Sequence, residues 1–226
     1  MSLTGTGVIA IWHDISADGL LDFYEWHNRE HIPERVGIAG FQRGRRYEAL
    51  AGAPEFFTLY NVRDPGVLAG PAYHARLNDP TPWTLRAVGH FSNEARSLCE
   101  VKASRGVGSG GVVATIRFDC NPDRDEAIMA ALAGPALDAV VATPTIAAMH
   151  VCRADLDTSR RRSAEQKDRG DNLVPRWIVL VEGGTLAAVQ AVVASQLGPA
   201  RLAALGVPDA PCSIYGLQHD LVKGFG

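Results

Sequence analysis

The run "GVIAIWHDI" (7–15) is short, apolar and bounded by glycine and aspartate, which predicts a strand. After it the spacing of apolar positions lengthens. Ser16 or Asp18 can cap a helix, and Leu20, Phe23, Tyr24, His27 and His31 then fall along one helical stripe. Pro33 is expected to interrupt that helix, because the residue before a proline is pushed out of the helical region. "GFQRGRRYEAL" (40–50) and "PEFFTLYNV" (54–62) predict two strands joined at the turn "AGAP". Two short helices are expected at 65–77 and 81–89, and "RSLCEVKAS" (96–104) is read as a closing strand.

After the glycine-rich run "RGVGSGG" (105–111) the order βαββαβ returns. Strands are predicted at 112–120, 145–156, 176–183 and 212–222. Helices are predicted at 125–142, despite Gly134 and Pro135, and at 185–198. The polar stretch 157–172 reads as a solvated excursion. The pattern divides the chain into a unit at 1–105, a linker at 106–110 and a second unit at 111–226. Along the first strand Val8, Ala10 and Trp12 oppose Ile9 and Ile11, so both faces are apolar and both need cover. The expected fold is therefore α+β: two ferredoxin-like βαββαβ units whose antiparallel sheets pack face to face as an α/β barrel within one chain.

Composition narrows the function. An apolar fraction of 46% supplies a core, while a net charge of −3 gives no electrostatic footprint for nucleic acid. No run approaches the roughly 20 apolar residues of a membrane span. The start "MSLTGTGVIAIW" lacks a basic region followed by a long apolar one, so no secretory signal is expected and a cytoplasmic location is. The four cysteines stand far apart, form no CxxC pair and are read as reduced thiols. "GVGSGG" is no phosphate loop, since a strand rather than a helix follows it and no Lys-Ser/Thr is present.

The densest chemistry is "EWHNREHIPER" (25–35). His27 and His31 lie four apart, so one helical face carries both imidazoles. They read either as core histidines hydrogen-bonded to their surroundings or as the wall of a pocket holding a general base. A metal would need a third ligand from Asp14, His13 or Glu34, and the HExxH signature is absent. "WHD" (12–14) ends the first strand; His13 shares a face with Ile9 and Ile11, and Trp12 points the other way. His13 or Asp14 is read either as a polar exit into the loop or as a partner that orients the helix histidines. In "RGRRY" (43–47) Arg46 stands opposite Arg43, Arg45 and Tyr47, and an inward-facing guanidinium suits a carboxylate or enolate. Tyr60 and Trp83, with Arg86 and His90, complete the candidates.

The first-strand Trp-His pair and the run Trp26, His27, His31, Pro33 resemble the dimeric α/β-barrel superfamily, and within it the EthD-like proteins. The resemblance is specific over 7–104 and topological over 111–222. It implies a pocket between helices and sheet, in a superfamily that holds small monooxygenases, muconolactone-type isomerases and haem peroxidases. Helix 125–142 contains no histidine, so the second unit is read as scaffold. The resulting expectation is an enzyme acting on a hydrophobic aromatic or polyketide-like compound by cofactor-free oxygenation or isomerisation. His27 and His31 are its catalytic candidates; Trp12, His13, Asp14, Tyr24, Arg46, Tyr60 and Trp83 are its binding candidates. No metal, haem or other cofactor is expected, the partner is a small-molecule ligand, and a homodimer is an allowed assembly. The alternative is a non-catalytic ligand-binding or stress-response accessory protein using the same pocket.

Overall fold

The structure is a computed structural model that describes residues 3–161, 164, 173–207 and 209–224. Eight antiparallel strands close into one barrel in the order β1-β3-β2-β8-β5-β7-β6-β4. The strands are β1 Gly7–Ile15, β2 Phe41–Ala51, β3 Phe56–Val62 and β4 Phe91–Gly106, then β5 Val112–Phe118, β6 Ile146–Ala154, β7 Trp177–Gly183 and β8 Cys212–Val222. The order β4-β1-β3-β2 of the first half recurs as β8-β5-β7-β6 in the second. The expected α+β class and intrachain barrel are thus what the chain forms. The closure goes beyond face-to-face packing, because β2 pairs with β8 and β4 with β6, sealing the two half-sheets at both edges.

Strands β1, β3, β5, β6 and β7 are buried on both faces, as the first one's sequence implied. Val8, Ala10, Trp12, Tyr47, Phe57 and Leu59 meet Val113, Ile178, Leu180 and Tyr215 in the barrel lumen. The opposite faces carry separate helix-covered cores, one in the second half and two smaller ones in the first. Full burial of a Val, Leu, Ile or Phe side chain contributes roughly 1.5–3 kcal/mol, and these layers hold most of the large apolar residues. Among the described residues no helix is long and apolar enough to cross a membrane.

Three helix expectations need correction. Pro33 does not end the first helix. Helix α1 (Leu20–Trp26) passes through a π-helical turn, His27–His31, into α2 (Ile32–Gly37), with Pro33 in the first turn of α2. The widened turn lets the chain run past a residue that cannot donate an amide hydrogen bond. The second correction is at 125–142, where Gly134 and Pro135 do divide the helix into α6 (Asp125–Ala133) and α7 (Pro135–Val141). The first expected short helix is likewise two pieces, α3 (Gly66–Ala69) and α4 (Pro71–Asn78), followed by α5 (Pro82–Val88). The short α8 (Leu156–Ser159) begins the expected 157–172 excursion, most of which lies outside the described residues. Helices α9 (Leu186–Gln196) and α10 (Pro199–Ala204) cover the second half.

Candidate functional site

Between α1–α2 and the outer face of the first half-sheet lies a cavity of about 40 Å³. Its floor is Ile9, Ile11 and His13 of β1, Thr58 and Tyr60 of β3, and Phe91, Glu94 and Arg96 of β4. Its roof is Trp26, His27, His31 and Arg35, with Tyr73 and Leu77 of α4 at one side. The π-turn sets the roof: it holds His27 and His31 with ring centroids 5.6 Å apart and nearly parallel, and sets His31 4.3 Å from the Trp26 ring. Such π-turns occur disproportionately at functional sites. Gly44 of β2 brings the floor close, since a side chain there would meet both Ile32 and Tyr60 at 2.9 Å.

The candidates divide. His27, His31, His13 and Tyr60 line the cavity together. His13 stacks on Phe91 at 4.1 Å and on Phe56 at 5.6 Å. Arg46 lies just behind His27, its Nη1 3.4 Å from His27 Nδ1, and its guanidinium sits 4.8 Å over the ring of Tyr24. Trp12 is not in this cavity. Strand alternation turns it into the lumen, where it stacks on Phe57 and its Nε1–H donates to Thr115 Oγ1 at 3.1 Å. Asp14 also stands apart: past the β1–β4 irregularity its carboxylate accepts from the Glu55 amide and from Asn93 Nδ2, tying the β2–β3 turn to the start of β4. Trp83 faces α1 rather than the cavity, its Nε1–H donating to Asp22 at 3.0 Å. Arg86 binds the same carboxylate, and His90 meets Ser16. Polar residues beyond the candidates are Arg35, Thr58, Tyr73, Glu94 and Arg96 in the cavity and Gln218 against Arg46.

The electrostatics favour neutral imidazole. Burial first, then the Arg46 guanidinium and nearby His13, hold His27 well below its ordinary value. Arginine has no acceptor, so His27 Nδ1 must be the acceptor facing Arg46, and the ring proton sits on Nε2. Burial also depresses His150 and His219. The unfolded chain therefore binds protons near pH 6.5 that the folded chain refuses. Stability should be full above that pH and fall as pH drops through it, by up to about 1.4 kcal/mol per unit for each of the buried His27 and His150, and by less for the partly exposed His219. Urea melts from pH 7.5 to 5 check this, and His27→Gln should flatten the slope.

Register provides an internal comparison. Val62 pairs with Gly7 in the first half as Gly183 pairs with Val112 in the second, which sets Thr58 and Tyr60 level with Val179 and Val181. The position of His13 is taken by Phe118, which stacks 6.5 Å from Trp177. The polar lining of the first half is thus aliphatic and aromatic in the second. Among the described residues no group of three or more His, Cys, Asp and Glu side chains is placed to hold a metal ion. A haem macrocycle is far larger than this cavity and does not fit beside these histidines as they stand.

No protein-family model matches the chain, and no curated protein matches it either. Solved structures do share its fold. An anthrone oxidase-like protein superposes with a TM-score of 0.66 at 15% identity, over 97% of this chain and 93% of that one. A candidate monooxygenase from Fusobacterium nucleatum subsp. nucleatum gives 0.59 at 8% identity, over 97% and 96%. A chlorite dismutase variant from Candidatus Nitrospira defluvii gives 0.54 at 10% identity, over 96% and 92%. The chain has the ferredoxin-like α/β-barrel fold of these proteins. Fold does not carry reaction with it.

Proposed function

We propose that this protein is a small-molecule oxygenase, EthD-like in its first half, acting on a hydrophobic aromatic or polyketide-like compound. The observation that carries the reading is the histidine-lined cavity in a half-barrel whose counterpart carries Val179, Val181 and Phe118 at the equivalent positions. His31 is assigned as the base that takes a proton from a C–H conjugated with a carbonyl. His27, neutral and protonated on Nε2, donates to the enolate oxygen so formed, a role for which a neutral imidazole is suited. The cavity holds only one or two water-sized groups, so the body of the compound enters as α4, which flanks the cavity with Tyr73 and Leu77, moves aside.

An anthrone is the probe the reading calls for. One anthrone and one dioxygen give one anthraquinone and one water, so oxygen uptake measures the reaction without an added reductant. Uptake should exceed the spontaneous rate, and His31→Ala should lower it by about 10²–10⁴-fold with the far-ultraviolet circular dichroism unchanged. Uptake at the spontaneous rate, or an unimpaired His31→Ala variant, would remove the enzymatic reading and leave that of a ligand-binding protein.

A further inference from the structure

One row of side chains crosses the helix-facing side of the first half-sheet. Arg96 of β4 pairs with Ile11 of β1, Ile11 with Thr58 of β3, and Thr58 with Arg46 of β2. Three inter-strand spacings put the two arginine backbones roughly 14 Å apart. Arg46 is 3% exposed, Arg96 4% and Thr58 2%.

A buried guanidinium ordinarily keeps a carboxylate beside it. Arg35 has Glu34, and Arg45 has Glu182. Arg46 has only neutral acceptors among the described residues: Gln218 Oε1 at 3.0 Å, Asn28 Oδ1 at 2.8 Å and His27 Nδ1 at 3.4 Å. Arg96 donates to the Tyr73 hydroxyl at 2.8 Å and, among the described residues, to no carboxylate. Between them the Thr58 hydroxyl is buried without a hydrogen-bond partner among the described residues. Of the carboxylates nearby, Glu34 is shared by Arg35 and Arg76, and Glu94 lines the cavity together with both Arg35 and Arg96.

The second half shows that the fold does not require these charges. The equivalent row there is Cys212, Ile116, Val179 and Val151. Same register, same helix-facing side, no charge. Two buried cations and an unsatisfied hydroxyl in one row are costly for folding alone, and each would gain from an anionic oxygen.

We propose that the site takes an aromatic carboxylic acid, its carboxylate seated over Thr58 with Arg96 on one side and, behind His27, Arg46 on the other. This rests on the cavity being a ligand site and adds the charge of the ligand. The cavity has room for such a head group and not for the rings, which lie where the covering helices part.

The test is calorimetric binding of 1-naphthoate against its neutral isostere 1-naphthamide. The wild-type protein should bind the carboxylate at least about tenfold more tightly, the worth of one charge-assisted hydrogen bond. Arg46→Gln and Arg96→Gln should each bring the ratio close to one while retaining naphthamide binding. A measurement on the unaltered chain guards against variants that fail to fold: an anion on Arg46 offsets its effect on His27, so the His27 imidazole should titrate higher with naphthoate and not with naphthamide. Equal affinities in the wild type, or a preference that survives both substitutions, would overturn the carboxylate and leave the pocket standing. If neither compound binds, the pocket reading falls too.

Discussion

Replacing Glu182 by alanine should lower stability by about 3–5 kcal/mol, because it leaves a buried guanidinium with no counter-charge. Arg45 and Glu182 are each 0% exposed in the lumen, with Nη1–Oε2 at 3.2 Å. Burial alone would raise the Glu182 carboxyl. His150, Arg45 and the Gly110 amide override it and hold the group at about 2. Urea denaturation is the measurement, with the surface pair Arg63–Asp64 as control. That pair is 70% and 43% exposed, and Arg63→Ala should cost less than about 1 kcal/mol. Replacing both lumen partners with apolar residues, Arg45→Met with Glu182→Leu, should recover much of the loss. A Glu182→Ala variant as stable as the control would show that the pair is not carrying its buried charge.

Trp12→Ala should cost about 3–5 kcal/mol through the cavity it opens. Trp12 touches both halves, stacking on Phe57 at 5.0 Å, lying under the Arg117 guanidinium at 4.9 Å and bonding Thr115. It stands on the opposite face of β1 from His13, so naphthoate affinity measured on the folded variant should match the wild type. A thermal melt and a binding isotherm together decide it. Lost affinity with an intact fold would mean that the lumen belongs to the ligand site.

Most of the barrel was legible because strands were written as short apolar runs with glycine and proline between them. β1 and β8 fall at the expected bounds, and the opposition of Trp12 and His13 follows from alternation alone. The first helix was harder. A proline after a histidine-rich turn reads as a stop, and nothing local announces a π-turn that lets the helix go on. The site was half legible. His27, His31, His13 and Tyr60 meet, whereas Asp14 and Trp83 are polar or aromatic for reasons of loop and helix docking. Thr58 and Arg96 went unremarked because each is unexceptional in its own strand. Their signal is that Thr58 of β3 and Arg96 of β4 flank the apolar Ile11 of β1 on one face, visible only once the register places them in one row. Gln218 could not be found locally at all, since it reaches Arg46 from 172 positions along the chain.

The sealed seams bear on how this protein meets copies of itself. An open sheet offers a row of unsatisfied amides and carbonyls that a second chain can extend, the usual route to fibrils and to dimers built by strand addition. Here every strand has a neighbour on both sides, and the ring returns to where it began. Among the described strands, backbone pairing between barrels has nowhere to start. A homodimer of this chain would have to be held by side chains on its helices and loops, and its strength would follow surface chemistry rather than sheet geometry.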